Sequence, residues 1–242
     1  AVIQTKTPED MSQAGKAAQQ ILNEQIQNTE TSVSYKAEDI MEKAPHFDYI
    51  VINDCSTDKT KEICETEEFN VIHLPVNLGI GGAVQTGYLY AARNGYDIAV
   101  QVDGDGQHDP QFLSKMADYM EAEHADMVIG SRFIDKEGFQ SSGARRVGIK
   151  YFTMLIKLLT GTKITDPTSG LRMVNREIIE FFAEEYPKDY PEPESVVAIL
   201  RRKKKVLEIP VIMRERSGGV SSISMKKSVY YMIKVSLAIL IE

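Results

Sequence analysis

Acidic residues stand close together where two apolar runs of the chain end. Asp54 follows one such run, and Asp103 and Asp105 follow another. Two carboxylates held this close repel each other unless a cation joins them or one of them takes up a proton. Their oxygens, with an amide oxygen from Gln107, suit Mg²⁺ or Mn²⁺, which usually complete their shells with substrate phosphates. The residues therefore predict a divalent cation set against phosphate groups.

Two other interpretations of the acidic run explain it less well. A calcium loop that begins at Asp103 would need glycine at its sixth position and glutamate at its twelfth, where His108 and Ser114 stand. Asp109 is well placed to cap the helix that follows, but capping does not account for Asp103 and Asp105. The main alternative to a metal site is an ordinary acidic loop that follows a strand.

Glycines accompany both acidic segments. Gly104 and Gly106 are expected to allow a tight turn and the close approach of a bulky ligand. A run from Gly79 resembles the dinucleotide pattern G-x-G-x-x-G, but Val84 stands where the third glycine is required. Hydride transfer is therefore disfavoured. Two roles stay open for the glycines from Gly79: close packing of a helix start against the sheet, or amides that face an anion.

The elements that must position these residues follow from the apolar pattern after about residue 48. Short, continuously apolar strands alternate with amphipathic helices, which predicts an α/β fold with a doubly wound, mostly parallel sheet. Ligands of such sheets bind outside the carboxyl ends of the strands, where both acidic segments fall. Strands are expected at 49–53, 70–74, 98–102, 127–130 and 206–213, helices at 58–68, 80–94, 110–123, 145–160, 175–185 and 226–241, and loops at 161–172, 186–193 and 214–224.

The chain of 242 residues, 43% of them hydrophobic, is long enough for one domain with a large core. We expect that domain to span residues 46–225. Residues 1–45 are expected to form an atypical, polar helical segment, and residues 226–242 a C-terminal amphipathic helix. The net charge of −7 argues against a nucleic-acid partner, because such domains normally present a basic face. The basic run at 201–205 is interpreted as a solvated helix end in preference to a phosphate or membrane patch.

Cellular location follows from the cysteines and the apolar runs. Cys55 and Cys64 make neither a disulfide framework nor a metal knuckle, which favours free thiols in the cytoplasm. We see no secretory signal, and the longest apolar stretch, 229–241, is shorter than the roughly 20 residues that span a bilayer. The prediction is a cytoplasmic protein. Residues 228–241 either contact the inner face of the membrane or pack on the domain, and both alternatives stay open.

Six short segments occur in a fixed order between residues 53 and 221, and together they resemble those of family-2 glycosyltransferases. The similarity covers roughly residues 37–240 and is greatest to the branch with dolichol-phosphate mannosyltransferase-like and bacterial cell-surface polysaccharide enzymes. The segments are Asn53-Asp54-x-Ser56-x-Asp58, Asn77-x-Gly79-x-Gly81-Gly82, Asp103-Gly-Asp105-Gly-Gln107-His108-x-Pro110, Gly130-Ser131-Arg132, Asp166-x-x-Ser169-Gly170-x-Arg172 and Arg216-x-Gly218-x-x-Ser221.

This resemblance implies a GT-A fold and an inverting, metal-dependent transfer from a nucleotide-diphosphate sugar. The implied acceptor is a cell-envelope glycan or a polyprenyl-phosphate-linked molecule, and one sugar is moved because the Gln-x-x-Arg-Trp motif of processive synthases is missing. A mobile lid is implied at 214–222. The resemblance implies Asp103, Asp105 and Gln107 as metal ligands, Asp54, Asp103, Gly79, Arg132 and Arg216 as donor-binding residues, and Asp166, Ser169 and Arg172 as the floor of the acceptor side.

The catalytic base is a further question. Transfer to a hydroxyl needs a carboxylate that takes the proton. Glu192 and Glu194 lie where such enzymes often carry an acidic residue, and Asp166 is a further catalytic candidate. We favour Glu192 over Glu194. If the acceptor is a lipid phosphate, which is already anionic, no base is needed and the glutamates would shape the site.

One departure from the family pattern concerns the start of the chain. Members normally begin with an apolar strand that ends in Pro-x-Tyr/Phe-Asn-Glu and cradles the nucleotide. Nothing in residues 1–47 matches this motif, and residues 1–4 are expected to be too short for the strand. Two other hypotheses therefore stay open beside the glycosyltransferase. One is a nucleotidyltransferase that makes nucleotide-sugars, and the other is a non-catalytic GT-A-like domain used for assembly.

Overall fold

The computed structural model describes residues 2–6, 40, 42–139, 143–188, 191–214 and 225–241. Arg216, Ser221, most of the predicted lid and most of the helical segment predicted at 1–45 lie outside the described residues. The described strands are β1 Val2–Lys6, β2 Phe47–Asn53, β3 Val71–His73, β4 Ile98–Val102, β5 Met127–Ser131, β6 Arg172–Asn175 and β7 Val206–Pro210. The described helices are α1 Thr60–Thr66, α2 Gly79–Arg93, α3 Phe112–Glu123, α4 Gly143–Thr160, α5 Arg176–Glu184, α6 Pro191–Arg201 and α7 Met225–Ile241.

The described strands form one sheet in the order β3-β2-β1-β4-β6-β5-β7. Its neighbouring strands pair in parallel only at β2–β3 and β5–β7, while β1 and β6 run against both of their neighbours. The other five strands nevertheless share one direction, because each reversed strand separates two strands that run the same way. The sheet is therefore mixed, and β2, β4 and β5 end at the same edge.

Residues 2–6 differ from the sequence-based expectation. Residues 1–45 were predicted to be helical and residues 1–4 to be too short for a strand, but residues 2–6 form β1 inside the sheet, between β2 and β4. This strand is reversed, so that Val2 lies beside Val51 and Val102 near the ligand edge, and Lys6 lies beside Phe47 at the far edge. The carboxyl end of β1 is therefore remote from that edge, and this strand cannot supply a nucleotide cradle after its last residue.

Two elements were also missed in the second half of the chain. Strand β6 occupies residues predicted to end a loop and begin a helix, because four residues are too few to show a strand period. Helix α6 begins at Pro191, inside the predicted loop at 186–193. Proline suits the first turn of a helix, where its missing N–H would have no helical partner. The prolines here begin a helix and do not break one.

Helices cover both faces of the sheet. One buried cluster joins the sheet to α2, α4, α5, α6 and α7, with Tyr88, Phe152 and Phe182 among its largest members. A second cluster joins the other face to α3 through Leu113 and Met116. These two layers confirm the doubly wound α/β prediction and hold the ends of β2, β4 and β5 in fixed positions.

The basic run at 201–205 lies where α6 leads into β7. Arg202 contacts Glu185, Lys204 contacts Glu177 and Lys205 contacts Glu123. Exposed pairs of this kind contribute little stability, but they match the local positive charge. The structure agrees with the interpretation of this run as the end of a helix.

Candidate active site

Asp54 fixes the corner between β2 and the start of α2. One of its carboxylate oxygens accepts a hydrogen bond from the Leu78 amide at 2.6 Å, and its carbonyl accepts one from the Asn77 side chain at 3.2 Å. Asn77 in turn accepts from the Gly79 amide at 3.1 Å, and Gly79 has a φ of +75° that favours glycine. The structure thus joins two predicted donor-binding residues, Asp54 and Gly79, in one hydrogen-bonded loop.

Gly81, near the start of α2, allows a close contact between this helix and a loop. A side chain at Gly81 would overlap the carbonyl groups of Pro187 and Lys188. The Gly81 amide donates to the Lys188 carbonyl at 3.1 Å. Gly81 therefore has neither of the two predicted roles: it does not serve close packing against the sheet, and its amide does not face an anion. The close approach holds the loop that leads into α6 against the donor corner.

The Asp103 and Asp105 carboxylates follow β4, and both residues are half-buried. Asp103 accepts a hydrogen bond from the buried Gln101 side chain at 3.1 Å, and its amide donates to His108 at 3.3 Å. Asp105 accepts from the Gln107 amide at 3.1 Å. These short local bonds turn the chain tightly, so that two carboxylates stay at the carboxyl edge of β4.

Glycines shape this turn unequally. Gly106 has a φ of +85°, which favours glycine, whereas Gly104 has no atom within 4 Å of an added Cβ. Space is therefore open above Gly104 for a ligand. Gly170 has a different role, because a side chain there would overlap the Asp103 carboxylate. Gly170 lets the loop before β6 approach the predicted metal ligand.

The donor set fits a cation that phosphate oxygens help to hold. Among the described residues, no group of three or more His, Cys, Asp and Glu side chains could hold a metal by itself. One or two carboxylates are the usual protein share of a Mg²⁺ site that also binds substrate phosphates. Asp103 and Asp105 match that share. We therefore expect tight cation binding only together with a diphosphate.

Gln107 connects this turn to Arg214, the first residue of the predicted lid. The Arg214 amide donates to the Gln107 carbonyl at 3.0 Å, and the Gln107 side-chain nitrogen faces the Arg214 carbonyl at 3.5 Å. The Arg214 guanidinium pairs with Asp109, which also lies 3.7 Å from the Lys43 ammonium. Through these contacts the start of the lid is anchored beside the acidic turn. The metal-ligand role of Gln107 stays a prediction.

Arg132 and Asp166 form a buried ion pair at the carboxyl edge of β5. The guanidinium makes two bonds to the carboxylate, of 2.6 and 2.7 Å, and the Arg132 amide adds a third of 3.2 Å. Arg132 also donates to Thr168 at 3.0 Å. The Asp166 side chain has no exposed surface. Such a two-bonded pair fixes the orientation of the guanidinium and matches most of its charge.

Glu208 on β7 holds the chain segment that carries Asp166. It was not among the site residues predicted from the sequence. Its carboxylate accepts hydrogen bonds from the Thr165 amide at 2.7 Å, the Thr165 hydroxyl at 3.0 Å and the Asp166 amide at 2.8 Å. Burial raises the pKa of Glu208, although these bonds lower it. An acidic residue inside an otherwise apolar strand was the signal that could have identified it.

Arg172 is a buried cation whose hydrogen-bond partners are all neutral. Its guanidinium donates to the carbonyls of Ser169 at 2.7 Å, Pro167 at 2.7 Å and Glu192 at 2.6 Å, and to the Ser195 hydroxyl at 2.8 Å. Only 1% of the residue is exposed. Arg172 therefore ties the loop before β6 to the first turn of α6. Its charge must be matched by carboxylates at longer range.

Glu192 supplies one of those carboxylates. Burial raises the pKa of Glu192 above its usual value of 4.5, the Arg172 charge lowers it, and the Asp103 carboxylate raises it. Glu192 is thus electrostatically coupled to both the acidic turn and the buried cation. Glu194 lies in the same first turn of α6 and is half-buried. Of the two predicted bases we still favour Glu192, because its pKa depends on the Asp103 carboxylate.

Comparison with known proteins identifies the family to which the chain belongs. Residues 23–182, more than half of the chain, match the family described as Glycosyl transferase family 2. The chain belongs to glycosyltransferase family 2. The resemblance read from the six segments is confirmed, and with it the assignment of the protein as a glycosyltransferase of GT-A fold.

Individual relatives of this glycosyltransferase cover most of its length. An uncharacterized protein of Methanocaldococcus jannaschii is 32% identical over 174 residues, which are 71% of this chain and 72% of that protein. The undecaprenyl-phosphate mannosyltransferase of Micrococcus luteus is 27% identical over 199 residues, 76% of this chain and 79% of that one.

A solved structure shares the fold of the glycosyltransferase. It is the glucosyl-3-phosphoglycerate synthase of Mycobacterium tuberculosis with Mn²⁺, uridine-diphosphate-glucose and phosphoglyceric acid. The TM-score is 0.62 at 17% identity, over 98% of this chain and 85% of the other.

Within the described part of the glycosyltransferase, no helix is both long and apolar enough to cross a membrane.

Proposed function

We propose that this glycosyltransferase moves a single sugar from a nucleotide-diphosphate sugar to a polyprenyl phosphate. The observation that carries the proposal is the Asp103–Asp105 pair, held at the carboxyl edge of the sheet beside the Asp54 corner. Two carboxylates suit a cation whose shell a diphosphate completes. The named relative that acts on undecaprenyl phosphate supports a lipid phosphate as the acceptor.

Within this proposal, each side chain has a distinct task. Asp54 orients the nucleoside, and Asp103 and Asp105 would hold Mg²⁺ or Mn²⁺ against the donor diphosphate. When bound, the cation offsets charge that develops on the departing nucleoside diphosphate. Asp166 positions Arg132 for a phosphate of the donor or acceptor. Arg216 is proposed to contact the donor from the lid.

The direct test uses purified protein, Mn²⁺, a nucleotide-sugar chosen by a binding screen of UDP, GDP and dTDP, and a short-chain polyprenyl phosphate. We expect the sugar to appear on the lipid phosphate, because the acceptor oxygen is already an anion and can attack the sugar directly. Mass spectrometry of the extracted lipid measures the product. Release of pyrophosphate from a nucleoside triphosphate and a sugar phosphate, with no glycolipid formed, would instead indicate a nucleotidyltransferase.

Glu192→Gln distinguishes the two acceptor classes. With a lipid phosphate no base is needed, so we expect transfer to stay within about tenfold of the parent, whereas loss of a required base costs roughly 10²–10⁴-fold. A second readout is stability. Because the pKa of Glu192 is raised in the fold, its contribution to the unfolding free energy is present at low pH and is lost as pH rises through the folded pKa. Glu192→Gln should remove this dependence.

Glu194→Gln provides the matched control for that experiment. Both glutamates lie in the first turn of α6, and Glu192 has the coupling to Asp103 described above. We expect Glu194→Gln to leave both the transfer rate and the pH dependence of stability near those of the parent. A drop of 10²-fold or more in Glu192→Gln alone would contradict the lipid phosphate and favour a hydroxyl of a glycan.

A further inference from the structure

Helices α4 and α7 each present an apolar row to solvent. On α4 the exposed fractions are 67% for Val147, 63% for Met154 and 80% for Leu158. On α7 the row consists of Ile233, Leu237 and Leu240, each more than half exposed. Spacings of three, four and seven residues place the members of each row along one side of a helix.

The two helices lie side by side and run in the same direction. Near the start of the contact, an added Cβ at Gly148 would lie 4.0 Å from the Met232 sulfur. One turn further along both helices, the hydroxyls of Tyr151 and Ser236 share a hydrogen bond of 2.9 Å. Because both partners advance together, the exposed rows lie next to each other.

The opposite sides of both helices face the core. Ile149 and Ile156 of α4 are buried, as are Val235 and Ile239 of α7. The exposed rows therefore lie on the outer side of the pair and form one continuous surface. We call this surface the α4–α7 face, composed of the two apolar rows and the basic residues that border them.

The charge of these helices is opposite to that of the whole chain. Their sequences contain seven Lys and Arg residues and no Asp or Glu, in a chain with net charge −7. Arg146, Lys150 and Lys157 are exposed and lie along one flank of the α4 row. A long basic side chain beside an apolar row can keep its charge in water while its methylene groups rest on hydrocarbon.

We propose that the α4–α7 face docks on the surface of an anionic lipid bilayer. Apolar side chains would enter the boundary between headgroups and acyl chains, while the basic flank contacts anionic headgroups. A second copy of the chain is a poorer occupant. A two-fold interface brings the same surface of both copies together, which here would set like charges against each other.

The biological role that we give to this face rests on the proposed function, because a polyprenyl phosphate acceptor lies in a membrane. Helix α4 lies between Arg132 and Asp166 along the chain. The ion pair between these two residues joins the two ends of the segment that contains α4. Docking of α4 would therefore hold at the bilayer a helix whose flanking chain segments start and end at this ion pair. A polyprenyl phosphate presents its phosphate at that level of the membrane.

The test is co-sedimentation with vesicles that contain neither polyprenyl phosphate nor nucleotide. We expect binding to vesicles of phosphatidylcholine with 30% phosphatidylglycerol, and at least tenfold weaker binding to phosphatidylcholine alone. Met154→Gln/Leu158→Gln should weaken binding to the anionic vesicles at least tenfold, and so should Lys150→Gln/Lys157→Gln. Lys59→Gln/Lys115→Gln and Val76→Gln/Ile212→Gln remove exposed charge and exposed apolar surface elsewhere, and they should bind like the parent.

Several outcomes would overturn the proposal. One is unchanged vesicle binding in the two α4 variants, and another is equal loss in the control variants. A third is a dimer, seen by light scattering, that Met154→Gln/Leu158→Gln dissociates without affecting vesicle binding. Transfer to a water-soluble, short-chain acceptor reports separately on the proposed function. If that transfer is absent while vesicle binding behaves as expected, the function fails and the docking surface stands.

Discussion

Asp105→Asn is expected to lower sugar transfer at least 100-fold, by order of magnitude, while the protein stays folded. The amide keeps the shape of the side chain but removes its negative charge, one of the two carboxylate charges that would hold the cation. The Asp105 carboxylate accepts a local hydrogen bond from the Gln107 amide, and an amide oxygen can accept that bond as well. Initial rates with saturating donor and titrated Mn²⁺ measure the effect.

Two further measurements make the Asp105 prediction specific. Calorimetry should show that Mn²⁺ strengthens nucleoside diphosphate binding to the parent and not to Asp105→Asn. The unfolding midpoint should change little, because the substitution also removes repulsion from Asp103. Asp118→Asn, on the exposed side of α3, is the matched control and should transfer sugar at the parental rate. Full activity of Asp105→Asn, or of the parent in excess chelator, would refute the metal role.

Arg172→Met is expected to have the largest effect on stability, a loss of about 3 kcal/mol in the free energy of unfolding. The buried guanidinium makes four hydrogen bonds, and methionine would leave the carbonyls of Pro167, Ser169 and Glu192 without these donors. For a domain of this size, we expect a decrease of roughly 6–12 °C in the midpoint of thermal unfolding. Circular dichroism during heating measures the change.

Arg172 also influences the active site through Glu192, so a second readout accompanies stability. Because the Arg172 charge lowers the pKa of Glu192, its removal should raise that pKa further. Arg172→Lys keeps the charge without the forked geometry and should lie between the parent and Arg172→Met in stability. Arg176→Met removes an exposed arginine paired with Asp97 and Glu180 and should cost less than about 1 kcal/mol. Equal losses at both positions would contradict the special role of Arg172.

The sequence predicted the ends of β2 and β4 correctly, because strand ends are visible in the apolar pattern. The run Ile98–Val102 is continuously apolar apart from Gln101, so its end, and with it Asp103, could be placed to the residue. The same reasoning located Asp54 after β2. Local signals of this kind depend only on neighbours along the chain, and they predicted most helices within two or three residues.

Contacts between distant residues were beyond such reasoning. Nothing near Gly170 in the sequence indicates that its missing side chain makes room for Asp103. Arg172 donates hydrogen bonds both to the loop before β6 and to the first turn of α6. That turn was predicted to be part of a loop at 186–193, so the contact could not be foreseen. The direction of β6 was equally hidden, because a four-residue strand with polar residues at both ends has the same pattern in either direction. The mixed sheet therefore emerged only from the three-dimensional pairing.

The position of β1 has a consequence for how the protein assembles on the ribosome. This strand is made before its partners at residues 47–51 and 99–102, so it must wait for both while the chain is synthesised. Until it inserts, β2 and β4 present open backbone edges, which favour pairing with other chains. Contacts this distant in sequence also form slowly. The nascent enzyme therefore passes through an interval in which chaperones that shield unpaired strands would protect its yield.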